Sequence, residues 1–196
     1  SGERGKGGMI HTDVYPLFYI RYAGMLASTP WMLQNLCVVA AADRPTIRMA
    51  HFLNACIWIA LFAGAAILAP AKWVFWLLAC CAFGGLNWTV NRPMWQQVQS
   101  RDRPTRRLFQ KLALLMLGCW SCYPLIWLFC DGARALSSDA GISIYTCLDI
   151  LSQCICGLML VRTVKENPTM CAAGASRAEA ANIEEQESML ASHDQA

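Results

Sequence analysis

Two charged side chains interrupt the apolar runs of this chain and are the first candidates for chemistry. Arg21 lies inside the first apolar run, and Asp149 lies deep inside the last one. A charge within a bilayer is costly unless it is paired or faces an interior cavity. We therefore predict an ion pair between Arg21 and Asp149, with a structural role as the alternative to a catalytic one. A second alternative is that Arg21 extends to the outer interface with its charge in water.

Aromatic side chains form the second candidate group. Trp120, Tyr123 and Trp127 recur at helical spacing, with Pro124 among them. Residues at i, i+3 and i+7 share one face of a helix. The spacing alone predicts a packed core face, and it leaves open whether that face lines a ligand pocket.

The composition excludes an ordinary soluble domain. The chain has 196 residues, of which 56% are hydrophobic and 15% are charged, as is typical of a membrane protein. Most of the 11 cysteines lie within apolar runs, where free thiols behave as small hydrophobic residues. Cys119-x-x-Cys122 is accordingly expected to be inert. The three histidines have no metal-ligand spacing, and nothing in the chain indicates an enzyme or a nucleic-acid-binding protein.

Five apolar stretches have the length of about 20 residues that a membrane-spanning helix needs. Backbone groups in lipid must be satisfied within the segment, so these stretches are predicted to be helices of an all-α membrane protein. They run approximately over 14–41, 49–69, 73–90, 108–130 and 142–164. The predicted organisation is a polar N-terminal segment over 1–13, a transmembrane bundle over 14–164 and a tail over 165–196.

The loops predict the orientation of the bundle. Arginine and lysine are concentrated in the links between the first and second spans and between the third and fourth. Cytoplasmic loops carry such an excess of positive charge. The C-terminus is therefore predicted in the cytoplasm, with a tail that lacks fixed structure, and the plasma membrane is favoured over an organelle.

The first, fourth and fifth spans resemble the microbial rhodopsin family, of which bacteriorhodopsin is a member. Arg21, Tyr22, Thr29 and Pro30 match one helix of that family, and Trp-x-x-Tyr-Pro-x-x-Trp at 120–127 matches another. The run 148–162 matches the last helix without a gap. The resemblance covers roughly 15–162 and implies helices three to seven of a seven-helix fold. The favoured expectation is a partial sequence with two further spans upstream of Ser1, and the alternative is a five-helix remnant of the fold.

The resemblance also implies what has changed. In the family, the residue four after the aspartate of the last helix is the lysine that binds retinal as a Schiff base; here it is Gln153. Gly24 falls where a proton pump has its primary counterion, and Asn35 falls where the cytoplasmic proton donor lies. An amide cannot condense with an aldehyde, and neither Gly24 nor Asn35 exchanges a proton. The resemblance therefore predicts a protein without covalent retinal and without proton pumping.

The walls of the family's retinal pocket are retained in this sequence. By the resemblance, the residues of a vestigial or noncovalent pocket are Thr29, Trp76, Trp120, Tyr123, Pro124, Trp127, Tyr145 and Gln153. The favoured reading is an opsin-related protein of the kind seen in fungi, with a membrane or stress-related role. One alternative is a light-responsive receptor, ion channel or transporter that binds retinal noncovalently. Another is a membrane-anchored interaction protein that acts through its tail. In each case the bilayer is the expected partner, with homo-oligomers left open.

Overall fold

The computed structural model describes residues 19–67, 70–133 and 135–166, which form five long helices. Helix α1 runs over Tyr19–Ala40 and α2 over Arg44–Ala66. Helix α3 runs over Lys72–Thr89 and continues through a π-helical turn, Val90–Met94, to Trp95–Val98, while α4 runs over Arg103–Trp127 and ends in a π-helical turn, Leu128–Gly132. Helix α5 consists of Ser138–Asp149, a π-helical turn over Ile150–Ile155, and Cys156–Glu166. The predictions for 1–13 and for the tail after Glu166 concern residues outside these ranges.

The prediction of an all-α membrane bundle is confirmed. Four described helices are long and apolar enough to cross a membrane: Arg44–Ala66, Lys72–Val98, Arg103–Gly132 and Asp139–Arg162. Helix α1 has 22 residues, with Arg21 in its first turn, and is not among the four helices that meet the length and hydropathy of a span. The fold therefore contains the five predicted helices, of which four meet the length and hydropathy of a span.

Helices α2 and α4 begin about five residues earlier than predicted because the same four-residue signal starts both. The sequence Asp-Arg-Pro-Thr spans each start, at 43–46 and at 102–105, with the aspartate just before the first helical residue. The Asp43 carboxylate accepts from the Thr46 backbone N–H at 3.2 Å, and the Asp102 carboxylate accepts from the Thr105 N–H at 3.4 Å. Aspartate at the N-cap followed by proline in the first turn is a strong helix start.

Helix α3 ends eight residues later than predicted because it continues through Pro93. Proline lacks an N–H donor and crowds the preceding turn. The π-helical turn Val90–Met94 contains Pro93, and the helix resumes over Trp95–Val98. A π-helical turn shifts the backbone hydrogen-bond pattern within a continuous helix, so Pro93 does not terminate α3.

The alternating direction of the helices places the arginines together. The C-terminal ends of α1, α3 and α5 lie with the N-terminal ends of α2 and α4, and we call this the basic end of the bundle. It carries Arg44, Arg48, Arg103, Arg106 and Arg107. Helix α2 packs most extensively against α3, α1 packs against α2 and α4, and α5 packs against α4. The buried core is shared by all five helices.

Candidate functional site

Arg21 lies among two tyrosine rings and a carboxylate at the end of the bundle opposite the basic end. Its guanidinium nitrogen is 3.5 Å from the Asp131 carboxylate, and its Cζ is 3.6 Å from the centre of the Tyr145 ring. The Tyr22 hydroxyl donates to the same Asp131 carboxylate at 3.3 Å. The side chains of Arg21 and Asp131 are only 20% and 17% exposed, so Arg21 does not extend into solvent.

The predicted partner of Arg21 was Asp149, and the structure gives the ion pair to Asp131 instead. Asp131 lies in the π-helical turn that ends α4, at the level of the first turn of α1. Asp149 lies one helical turn beyond Tyr145 on α5, and the Tyr145 ring packs against the guanidinium. The sequence analysis missed Asp131 because it falls at the very end of an apolar run, where a loop residue was expected.

Asp149 is held by a tyrosine rather than by an arginine. The Tyr123 hydroxyl donates a hydrogen bond to the Asp149 carboxylate. The Tyr123 ring stacks on that of Tyr145 at a centroid distance of 5.8 Å and meets Trp58 edge-on at 5.3 Å. A partly buried carboxylate is stabilised by such a bond, so Asp149 and Tyr123 join α5 to α4.

The predicted aromatic residues belong to one packed group, which also contains Trp58 and Trp73. We call this group the aromatic wall: Trp58, Trp73, Trp76, Trp120, Tyr123, Trp127 and Tyr145. Trp127 is 1% exposed and its indole N–H donates to the Leu61 carbonyl at 3.2 Å. The Trp76 indole N–H donates to the Pro124 carbonyl at 3.0 Å. Trp73 packs edge-on against both Trp76 and Trp127, at 6.5 and 6.3 Å.

Two glycines make room for Trp127. A Cβ added at Gly64 would lie 3.0 Å from the Trp127 ring, and one added at Gly132 would lie 3.2 Å from it. Both distances are at or below the usual limit of contact for a Cβ atom. The aromatic wall is therefore closely packed around Trp127, as protein interiors are.

Gln153 lies in the π-helical turn of α5 and faces α1. Its side-chain nitrogen donates to the Ser28 hydroxyl at 3.3 Å and lies 3.7 Å from the Met25 sulfur. π-helical turns are frequent at functional sites because they redirect a side chain without ending the helix. Here the turn over Ile150–Ile155 contains the predicted site residue.

A cavity of about 110 Å³ adjoins Gln153 on the side toward the basic end. Asn35 lines it, as does the Cys156 thiol, and the remaining lining is mainly apolar, from α1, α4 and α5. Cavities that bind drug-sized ligands usually measure about 300–1,000 Å³. The space beside Gln153 suits a few waters, each of which needs about 10–15 Å³ of such volume.

Asn35 and Gly24 lie in different surroundings. Asn35 shares the cavity with Gln153. Gly24 lies on the exposed side of α1, and a Cβ added there would have no atom within 4 Å. The structure therefore brings two of the three substituted positions to one cavity and leaves the third in open space.

Thr29 belongs to a polar contact that the sequence analysis only half identified. The Asn54 side chain, 1% exposed, donates to the Thr29 hydroxyl at 3.0 Å and accepts from the Trp58 indole N–H at 3.2 Å. The missed signal was a lone asparagine inside an apolar run. A buried amide must find hydrogen-bond partners, so Asn54 predicts a neighbour on another helix.

The comparisons with known proteins agree with this architecture. The family model described as "Bacteriorhodopsin-like protein" matches residues 6–167, which is most of the chain. The chain belongs to the bacteriorhodopsin-like family. Members of this family normally bind retinal.

Two curated relatives and two solved structures place the chain within the family. Opsin-1 of Neurospora crassa is 31% identical over 81% of this chain and 53% of its own length, and archaerhodopsin-2 of a Halobacterium species is 26% identical over 76% and 59%. The light-driven proton pump LR (Mac) of Leptosphaeria maculans superposes with a TM-score of 0.76 at 25% identity, over 78% of this chain and 63% of that one. Cyanorhodopsin of a Calothrix species has a TM-score of 0.77 at 23% identity, over 81% and 69%, which shows the fold alone.

The chain spans about half the length of Opsin-1 and less than two thirds of archaerhodopsin-2. The family and the multi-pass membrane architecture follow from these matches. The activity of the whole protein does not.

Proposed function

We propose that this chain is an opsin-related membrane protein that forms no covalent retinal pigment and pumps no protons. The observation that carries the proposal is Gln153, which stands where the family resemblance expects the retinal-binding lysine. A Schiff base forms when a primary amine attacks an aldehyde carbon. The nitrogen of an amide has its lone pair delocalised into the carbonyl, so Gln153 does not supply this reaction.

The surroundings of Gln153 support the proposal. Its amide nitrogen is directed to the Ser28 hydroxyl on α1 rather than into the aromatic wall. The Met25 sulfur lies beside it, and Met25 is itself buried. The side chain thus acts as a contact between α5 and α1, which is a structural use of the position.

Two positions at which the family resemblance expects carboxylates that carry protons, those of Gly24 and Asn35, have no exchangeable group. Gly24 has no side chain to exchange a proton, and Asn35 contributes an amide to the cavity of about 110 Å³ beside Gln153. Proton transfer needs groups whose pKa lies near the working pH. No carboxylate or histidine is among the side chains that line this cavity in the described part of the chain.

Noncovalent retinal binding is the competing function, and the retained aromatic wall is the observation that favours it. Against it stands the packing of the wall, where Trp127 lies within contact distance of Gly64 and Gly132. A retinal molecule would have to displace Trp127 from these two glycines. We therefore favour a bundle whose aromatic residues stabilise the fold over a bundle that surrounds a chromophore.

We further propose that the basic end faces the cytoplasm, because arginines in short loops favour that side. This orientation places the tail after Glu166 inside the cell. The plasma membrane is the proposed host membrane.

Retinal reconstitution tests the proposal. The chain is expressed in membranes with all-trans retinal, and its visible absorbance is compared with that of Gln153→Lys and of Gln153→Lys combined with Gly24→Asp. We expect no visible band and no light-driven pH change from the native chain. A band in the Gln153→Lys variants would show that the space beside the aromatic wall can still accept retinal once an amine is present.

The two functions are separated by their response to borohydride and to washing. A visible band of the native chain that borohydride converts into a covalently bound retinyl amine would contradict the proposal outright. A saturable quenching of tryptophan fluorescence by retinal, removed by washing, would establish the noncovalent alternative. Light-driven acidification by vesicles that contain the native chain would overturn the second half of the proposal.

A further inference from the structure

We propose that a groove between α3 and α4 binds an anionic glycerophospholipid, with an acyl chain in the groove and the phosphate on the arginines that begin α4. The groove is on the outer surface of the bundle and has a volume of about 730 Å³. It is separate from the Gln153 cavity, with which it shares no lining residue. The proposal is independent of whether the protein binds retinal.

The groove is lined by apolar side chains of both helices, which suit a hydrocarbon chain, together with four polar side chains, Asn87, Asn91, Gln110 and Ser121. Its floor is formed by the Trp95 and Phe109 rings, whose centres are 6.2 Å apart, and by Leu117. Gly118 lines it as well, and a Cβ added there would have no atom within 4 Å. A lipid-facing helix surface with a recess of this kind accepts an acyl chain without exposing the chain to water.

The face of α4 that lines the groove continues into a row of arginines at the basic end. Residues three or four apart share one side of a helix. Arg103, Arg106 and Arg107 precede Gln110 and Leu114 on this face, at intervals of three, four and seven residues. Arg103 and Arg107 are exposed. The arginines therefore lie at the end of the groove, on the basic-end side of the Trp95 and Phe109 rings.

The charge of this row is not neutralised within the described structure. No carboxylate of residues 19–67, 70–133 or 135–166 forms an ion pair with Arg103, Arg106 or Arg107. The nearby Asp102 instead accepts hydrogen bonds from Thr105, as the cap of α4. Guanidinium groups bind phosphate oxygens through paired donors, so a phosphate diester has the complementary charge and geometry.

The depth of these groups matches that of a lipid headgroup. Helix α4 with its π-helical turn has 30 residues, which corresponds to about 45 Å at 1.5 Å per residue. The hydrocarbon core is only about 30 Å thick, so the first turns of α4 reach the headgroup region. Gln110, which is exposed one turn beyond Arg107, is placed to donate to a glycerol ester carbonyl.

Competition between two lipids tests the site. The 196-residue chain in detergent is given equal amounts of phosphatidylserine and phosphatidylcholine with the same acyl chains, and the bound lipids are counted by native mass spectrometry. We expect retention of phosphatidylserine over phosphatidylcholine. Arg103→Gln combined with Arg107→Gln is expected to weaken phosphatidylserine binding about 30-fold, since each basic side chain near an anionic surface contributes about 1 kcal/mol.

Two matched controls locate the binding. Arg48→Gln combined with Arg162→Gln removes the same charge at the basic end but away from the groove, and is expected to retain the lipid. Gly118→Leu narrows the groove and is expected to weaken retention, whereas Gly24→Leu, at an equally open glycine on α1, is expected to leave it unchanged. Thermal unfolding of each variant confirms that the fold is intact.

The proposal fails under any of four results. Equal retention of both lipids would exclude an anionic site. Equal losses in the two arginine pairs, or unchanged retention in Gly118→Leu, would show diffuse attraction rather than a groove. The tail after Pro168 contains Glu184, Glu185 and Glu187. If phosphatidylserine is retained only when this tail is deleted, the tail is the occupant of the arginine row.

Discussion

The aromatic wall and the surroundings of Gln153 lie on adjacent parts of the same bundle, and they differ in how closely their side chains are packed. The wall is the closely packed part, although the buried hydroxyl of Tyr145 has no hydrogen-bond partner among the described residues. In the wall, Trp76 and Trp127 donate to backbone carbonyls, and Tyr123 donates to Asp149. Beside Gln153, the structure has an amide bonded to one serine and a cavity of about 110 Å³. The wall is closely packed and joins four helices, while the Gln153 side is loosely filled.

The difference in packing indicates which residues of the bundle can be substituted without loss of stability. Close packing and buried hydrogen bonds make residues costly to change whether or not a chromophore is present. A partly exposed amide beside a cavity is cheap to replace. The wall can therefore persist as part of the fold after the chemistry at Gln153 is gone. Substitutions in the wall are expected to lower the free energy of unfolding more than a substitution of Gln153.

Trp127→Ala is expected to have the largest effect. Trp127 is 1% exposed and packs against Trp73, Gly64 and Gly132. Removing a buried tryptophan usually costs about 3–5 kcal/mol. The free energy of unfolding in detergent, measured by helix content against denaturant, is expected to fall by that amount. Trp88→Ala, at a site 63% exposed, is the control and is expected to change little; equal effects would refute the role given to the wall.

Asp131→Asn is expected to have the next largest effect. It leaves the Arg21 guanidinium without its charge partner but retains an acceptor for the Tyr22 hydroxyl. Breaking a fully buried pair costs about 3–5 kcal/mol and an exposed one costs about 0–1, so about 2 kcal/mol is expected for this partly buried pair. Asp139→Asn, at the exposed start of α5, is the control. If Asp149→Asn is more damaging than Asp131→Asn, Asp149 is the true partner of Arg21.

The caps at the basic end give a smaller and pH-dependent effect. Hydrogen bonds from Thr46 and Thr105 hold the pKa values of Asp43 and Asp102 below their ordinary value. A lowered folded-state pKa gives stability that is present above the unfolded value of about 3.9 and is lost as pH falls through the folded value. Asp102→Ala is expected to cost about 1 kcal/mol at neutral pH and less below about pH 4, as thermal unfolding at both pH values would show. An unchanged difference at low pH would contradict the capping role.

Gln153→Ala is expected to have the smallest effect. It removes the hydrogen bond to the Ser28 hydroxyl and the weaker one to the Met25 sulfur, at a partly exposed site. Such a bond contributes about 0.5–1.5 kcal/mol, and relaxation of the adjoining cavity reduces the cost, so less than about 1 kcal/mol is expected. A loss as large as that of Trp127→Ala would show that the Gln153 side is not the loosely constrained part of the bundle.

The sequence predicted the helices and the aromatic contacts well because both depend on patterns. Apolar length identified all five helices, and helical spacing placed Trp120, Tyr123 and Trp127 on one buried face. Helix ends were less accurate, since the Asp-Arg-Pro-Thr signals were overlooked and the third span was ended at residue 90, before Pro93. The helix starts could have been read from the sequence.

The partners of individual polar groups could not be predicted in the same way. The choice of Asp131 over Asp149 for Arg21 depends on which carboxylate lies at the level of the first turn of α1. The contact of Asn54 with Thr29 depends on the rotation of α2 against α1. The direction of Gln153 depends on a π-helical turn. Spacing along one helix contains none of these relations between helices.

The most direct measurement of the central claim is the intact mass of the native chain after incubation with all-trans retinal and reduction with cyanoborohydride. Reduction would fix any Schiff base as a retinyl amine, and peptide mapping would locate it, including at Lys72, whose amine donates to the Gly132 carbonyl near Trp73. We predict an unchanged mass for the native chain and one retinyl group on residue 153 of Gln153→Lys. A retinyl adduct on any side chain of the native bundle would contradict the account.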